Sequence, residues 1–355
     1  MLPFAEISNG ENYTILNGYG NWLQVSFAGR IGYVYKNYAD NIHFEKMYKN
    51  IVNPHQVYTY KDMQADIQEL KRTYPGLVQT KIIGHSVDGR NLYAVKLGKG
   101  SKEIFLNGSH HAREYITTNL LMEMIDEYSA DYVRGLKMSG YNVRSILNRV
   151  SIWFVPMVNP DGVTLVQKGH TSAKHPQQVL KLNGGSKDFS HWKANIRGVD
   201  LNRQYPADWA HIIYSSGHPS FKNYKGTRPL TEPEVKAIYN FTLKHHFLTD
   251  VAYHTSGRLI YWDFHQKKGS AQYNLDYHVD KMVQGKTGYP LFYPGPHPSG
   301  GGYTDWTLIH EKVPGLTIEI SPFVGPRPVP ISHFNEIWKR NNTIGLLLAK
   351  EAANR

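Results

Sequence analysis

Glu103-Ile-Phe-Leu-Asn-Gly-Ser-His-His-Ala-Arg-Glu-Tyr-Ile-Thr-Thr118 is the stretch on which the rest of the chain turns. Glu103–Asn107 is a short apolar run and reads as a strand buried in a sheet. From Thr117 to Glu127 the apolar positions recur at helical spacing. Between strand and helix lie His111 and Glu114, at positions i and i+3 of the turn. Side chains so placed can point to one side, where an imidazole and a carboxylate can share one metal ion. On this stretch alone a simpler account stands beside that one. His111 is then a surface histidine, and Glu114 a first-turn acid favoured by the helix dipole.

The same alternation of elements runs outward in both directions. Upstream, Tyr58–Tyr74 reads as an amphipathic helix with Met63, Ile67 and Leu70 on its apolar side, stopped by Pro75-Gly76. Strands are expected at Val78–Ile83, Leu92–Leu97 and Glu103–Leu106. Downstream, the buried run Ser151–Val158 ends in the turn Asn159-Pro-Asp-Gly162. A helix over Glu232–Lys244 leads to Val251-Ala-Tyr-His254, and a helix over Ile337–Glu351 closes the chain. The fold class is therefore α/β, a mixed central sheet with helices on both faces.

Residues 1–45 differ. Tyr13–Leu16, Trp22–Phe27 and Gly32–Tyr35 are short alternating runs separated by Asn17–Gly20 and Ala28-Gly-Arg30, the pattern of a three-stranded meander. A segment this small needs to pack against something larger. Residues 41–54 read as a connector, and residues 46–355 as one catalytic-sized domain.

Composition narrows the function classes. Of the 355 residues 41% are apolar, ample for a core, and there is no cysteine, which excludes disulfides and thiolate metal sites. Lys+Arg total 40 against 29 Asp+Glu, a net charge of +11 that suits a polyanionic partner. The positive charges are scattered and no nucleic-acid motif is present, so nucleic acid is not expected as partner. No run approaches a membrane span, and residues 1–30 lack the pattern of a signal peptide.

Polar residues at strand ends supply the rest of a site. His254 ends an apolar run, and Glu319 lies inside Leu316-Thr-Ile-Glu-Ile320. A carboxylate within an apolar strand is costly without a partner. In open α/β sheets ligands bind outside the carboxyl ends of strands, where His111 and His254 both fall.

His111-Ala-Arg-Glu114, Asn159-Pro-Asp-Gly162, Gly198-Val-Asp-Leu-Asn-Arg203, Glu232-Pro-Glu234, His254 and Thr317-Ile-Glu319 occur in the order found in the zinc carboxypeptidase (funnelin) family, which residues 55–353 resemble. The resemblance implies that His111, Glu114 and His254 bind one Zn²⁺, leaving a position for water. It makes Glu319 the general base. Asp200 matches the acid that orients the first zinc histidine. Asn202 and Arg203 match the pair that holds the substrate's free carboxylate, a task suited to an arginine fork.

Three positions depart from the family pattern. Where the digestive members carry an arginine after a tryptophan, Trp192 is followed by Lys193, and Arg197 stands nearby as a substitute. Counting back from Gly301-Gly-Tyr-Thr-Asp-Trp306 puts His297 at the place of the substrate-closing tyrosine. The position that reads the substrate's terminal side chain falls at Thr304, neutral and polar, which fits a side chain bearing both an amine and a carboxylate.

Asn183-Gly-Gly-Ser186 and Trp192–Tyr205 look like the bacterial γ-D-glutamyl-meso-diaminopimelate peptidases, which carry wall-binding modules ahead of the catalytic domain. Residues 1–45 resemble the later half of a bacterial SH3-like module. The expected activity is hydrolysis of peptidoglycan stem peptides at the bacterial cell wall or outside the cell, a cytoplasmic place being compatible with the missing signal pattern. The alternative is a broad-specificity carboxypeptidase acting on ordinary peptides with a free carboxylate.

Overall fold

A computed structural model describes residues 15–27, 30–39, 50–295 and 297–355. The expected strand start Tyr13-Thr14, the turn residues Ala28-Gly29 and most of the expected connector 41–54 lie outside these residues.

The first three strands, β1 (Ile15–Tyr19), β2 (Trp22–Phe27) and β3 (Arg30–Tyr35), form an antiparallel sheet in the order β1-β2-β3. The first strand runs through Asn17-Gly18, where a turn was expected. A bulge between Ile15 and Asn17 absorbs the change of register, and the chain turns at Gly20-Asn21 instead. This sheet packs on the larger body, with Arg144 Nη2 donating to the Gly18 carbonyl at 3.0 Å.

The main sheet is mixed. Its strands are β4 (Val78–His85), β5 (Asn91–Leu97), β6 (Lys102–Gly108), β9 (Val150–Val155), β10 (Phe247–Thr255), β11 (Leu259–Tyr261), β12 (Leu291–Phe292) and β13 (Gly315–Ile320), after a two-strand ribbon of β7 (Lys137–Met138) and β8 (Tyr141–Asn142). The order is β12-β11-β13-β10-β6-β9-β5-β4. The central run β13, β10, β6 and β9 is parallel, and antiparallel pairings flank it. Parallel strands buried on both faces read as continuous apolar runs, and β9 is buried at every position.

Alternate side chains serve two cores. Ile104, Leu106, Ile152, Phe154, Val251 and Tyr253 face one core, and Phe105, Trp153, Val155 and Ala252 the other. The first core is covered by α1 (Tyr60–Thr73), α2 (Ile116–Arg134), α3 (Val143–Leu147), α7 (Ala271–Thr287), α9 (Phe334–Asn341) and α10 (Ile344–Ala352). On the second face lie α6 (Pro233–Thr242) and the short α8 (Tyr303–Trp306), while α4 (Pro160–Lys168) and α5 (Pro176–Leu182) pack on a third, smaller cluster with Trp192. α1 starts on a capping box, Thr59 with Asp62, and buries the expected Met63, Ile67 and Leu70.

The single closing helix expected over Ile337–Glu351 is two helices. They break at Asn342-Thr343, and the Asn342 carbonyl freed there accepts from Tyr128 Oη at 2.7 Å. No helix among the described residues is long and apolar enough to cross a membrane.

Candidate active site

β6 ends at Gly108, and the chain turns sharply before α2 begins. Ser109 takes a left-handed conformation, φ 53°. Hydroxyls hold it there: Ser109 N donates to Thr117 Oγ1 at 2.8 Å, and Ser109 Oγ lies 2.8 Å from Thr118 Oγ1. A side chain at position 108 would meet Thr117 Oγ1 at 2.9 Å, so the close approach requires glycine. The turn also pairs with a second loop, Ala112 N donating to Lys193 O and Arg113 N to Trp192 O. One turn thereby fixes His111, Glu114 and Lys193 together.

β10 delivers the third group. In register His254 stands beside Glu319 of β13. His111 Nδ1 lies 2.9 Å from Glu114 Oε1, His254 Nδ1 lies 2.9 Å from Glu114 Oε2, and the two Nδ1 atoms are 3.0 Å apart. All three residues are buried. Among the described residues this is the one group of three or more such side chains close enough to hold a metal ion.

The donor set fits zinc. Two imidazole nitrogens and both oxygens of one carboxylate converge on a single buried point, each within hydrogen-bond distance of another. Two nitrogens and a carboxylate, with no thiolate, are the ligands of an open zinc site. The outer nitrogen of His111 is anchored, Nε2 lying 3.1 Å from Asp200 Oδ1. Such a carboxylate fixes the ring's tautomer and turns its other nitrogen to the metal. Asp200 is itself held by Lys193 Nζ at 3.0 Å. Burial works to raise the Asp200 carboxyl, but Lys193 and His111 hold it well below the usual carboxylate range.

Glu319 behaves differently. Burial, and then the charge of Glu114, push its carboxyl up to about 7. Its Oε2 is buried with no partner among the described residues. Lys193 is among the cations that temper the shift. Arg197 is half exposed and faces Glu232 at 3.7 Å, so the cation beside the cluster is Lys193.

The remaining residues picked from the sequence divide. Asn202 and Arg203 follow Asp200 in one tight turn, Asn202 N donating to Asp200 Oδ1 and Arg203 Nη1 to Asn202 O. Tyr303 N donates to Asn202 Oδ1, and Arg203 Nε is buried without a partner among the described residues. Thr304 is buried, its hydroxyl 2.7 Å from that of Thr317. His297 is exposed and makes no contact with this group among the described residues. Tyr261, unread in the sequence, lies close enough to feel the charges of Glu319 and Arg203. Its one signal was the short apolar run Leu259-Ile-Tyr261.

The zinc carboxypeptidase family matches residues 63–342, nearly the whole of the larger body. The chain belongs to that family. This zinc metallopeptidase is 35% identical over 301 residues to gamma-D-glutamyl-L-diamino acid endopeptidase 1 of Lysinibacillus sphaericus, covering 84% of this chain and 73% of that one. It is 31% identical over 196 residues to carboxypeptidase A6 of Mus musculus, covering 54% of this chain and 41% of that one. In fold it resembles the crystal structure of thrombin-activatable fibrinolysis inhibitor, with a TM-score of 0.71 at 19% identity over 87% of this chain and 78% of that one.

Proposed function

We propose that this zinc metallopeptidase cleaves peptidoglycan stem peptides at the γ-D-glutamyl-meso-diaminopimelate bond. The observation that carries this is the likeness to a gamma-D-glutamyl-L-diamino acid endopeptidase over most of the chain. The polar Thr304–Thr317 pair supports it, since a diamino diacid ends in charged groups that an apolar wall would leave unpaired.

His111, Glu114 and His254 would hold the zinc, which would supply Lewis acidity toward a water and the scissile carbonyl. Glu319 takes the water's proton and returns it to the leaving amine, a role suited to a carboxylate beside the metal-ligand cluster with an oxygen free of other partners among the described residues. Lys193 adds positive charge beside the developing oxyanion. Asn202 and Arg203 hold the free carboxylate of the released residue. The residues 1–45 and the net charge of +11 suit retention on an anionic wall polymer outside the bacterial cell.

Digestion of purified stem peptides, with products identified by mass, tests the reading. Release of diaminopimelate-containing fragments cut at the γ-D-glutamyl bond is expected, faster than cleavage of a peptide ending in Phe. Thr304→Ile should shift preference toward the Phe peptide. Faster turnover of the Phe peptide by the unaltered enzyme would replace this reading with a broad carboxypeptidase.

A further inference from the structure

The strand registers place a tyrosine on the catalytic face. In the β11–β13 ladder Tyr261 stands opposite Thr317, and Leu259 opposite Glu319. On the other side of β13, Ala252 stands beside Thr317 and His254 beside Glu319. Residues directly opposed in a sheet project from the same face. Tyr261, Thr317, Glu319 and His254 therefore share one face across three adjacent strands, each about 4.8 Å from the next.

Tyr261 forms the open side of this face. It is 41% exposed, and Phe292, opposite it in β12, is 43% exposed, their rings 4.8 Å apart. Across the ladder stand the paired hydroxyls of Thr317 and Thr304. The phenol feels the negative charge of Glu319 and the positive charge of Arg203, so it lies near both the base and the carboxylate-holding arginine. Its hydroxyl has no hydrogen-bond partner among the described residues. Burial raises its pKa, which keeps it a donor at neutral pH.

We infer that Tyr261 is a specificity-determining residue whose hydroxyl donates a hydrogen bond to the carboxylate at the far end of the released residue's side chain. Its ring and that of Phe292 cover the methylenes of the same side chain. The Thr304 and Thr317 hydroxyls accept from the neighbouring ammonium. This rests on the diaminopimelate reading, and it separates a diamino diacid from lysine, which has the ammonium and lacks the far carboxylate.

Tyr261→Phe keeps the ring and removes the donor. The test compares kcat/KM on a γ-D-glutamyl peptide ending in meso-diaminopimelate with the same peptide ending in lysine. The variant should lower the diaminopimelate-to-lysine ratio about 10- to 100-fold, the size of one hydrogen bond to a charged group. Most of the change should fall on KM. Calorimetric binding of free meso-diaminopimelate to the metal-stripped protein should weaken by a similar factor. An unchanged ratio, with zinc content and Tm as in the unaltered enzyme, overturns the role of Tyr261 while leaving the proposed function standing. An equal loss on both peptides overturns it too, since the tyrosine then serves chemistry or fold. Preference of the unaltered enzyme for the lysine peptide overturns the proposed function and this inference with it.

Discussion

Asp161 and Glu319 are two carboxylates set deep in the same chain, and their neighbourhoods are opposites. Asp161, in the first turn of α4, accepts from Ser86 Oγ at 2.7 Å, Asp88 N at 2.7 Å and Arg90 Nη1 at 2.6 Å. Every partner is in place, and the group ties the loop after β4 to a helix more than 70 residues away. Glu319 has an oxygen with no partner among the described residues and faces a second carboxylate, beside two imidazoles whose nitrogens crowd one point. A buried carboxylate with all its donors supplied holds structure together. One left short beside a cluster of metal-ligand atoms is placed to meet something that arrives from outside.

The sharpest way to break this contrast is at Glu319. Glu319→Gln preserves size and cannot accept the water's proton, so kcat should fall about 10²- to 10⁴-fold, with zinc content and Tm nearly unchanged. Metal analysis and steady-state kinetics on the same preparation decide it, and near-normal kcat would mean another base. At the opposite pole, Asp161→Ala should cost about 3–5 kcal/mol in chemical denaturation, since Arg90, Ser86 and Asp88 all lose their acceptor. Its folded fraction should keep its turnover. A variant as stable as the parent would show that the network contributes no stability.

Glu234 sharpens the comparison through pH. It lies beside Asp161, fully buried, and burial, followed by the charges of Asp161 and Glu232, pushes it up to about 8 from an ordinary 4.5. Between those values the folded chain keeps a proton that the unfolded chain has released. Stability is therefore full below about pH 4.5 and declines as pH rises through about 8, by on the order of a few kcal/mol. Calorimetric Tm values for Glu234→Gln should fall less steeply from pH 5 to 8 than those of the parent, and parallel curves would refute the assignment. The smallest effect is expected for Arg90→Lys. It keeps the charge toward Asp161 and loses the guanidinium's second bond, to Ser172 O at 3.1 Å. About 1 kcal/mol is expected from urea titration, with no change in kcat, and a loss as large as that of Asp161→Ala would contradict this.

Much of the fold was legible because the central strands carry short apolar runs, such as Ile104–Leu106, Ile152–Val155 and Val251–Tyr253, and the helices carry regular apolar faces. α2 and α6 appear close to where the spacing places them. α7 was invisible for a physical reason. Its buried face is Asp276, Val279, Asp280, Val283 and Thr287, so two carboxyls interrupt the apolar period. Tyr261 was missed because β11 is three residues long and its place on the catalytic face depends on pairing with β13. The ordered motif set drew His111, Glu114, His254 and Glu319 together, and these the fold juxtaposes. That Lys193 meets Asp200 while Arg197 faces Glu232 was not legible, because both contacts join residues far apart or loops whose path the sequence leaves open.

The parallel pairing of β10 with both β6 and β13 also sets an order of assembly during synthesis. His111, Glu114 and His254 are all in the chain once residue 254 is made, yet Glu319, the proposed base, arrives only with β13. Until that strand docks, one side of β10 has no partner, and the nascent polypeptide carries ligands without the proton acceptor that turnover needs. On the proposed roles, a chain that stops short of β13 binds the metal and does not cut.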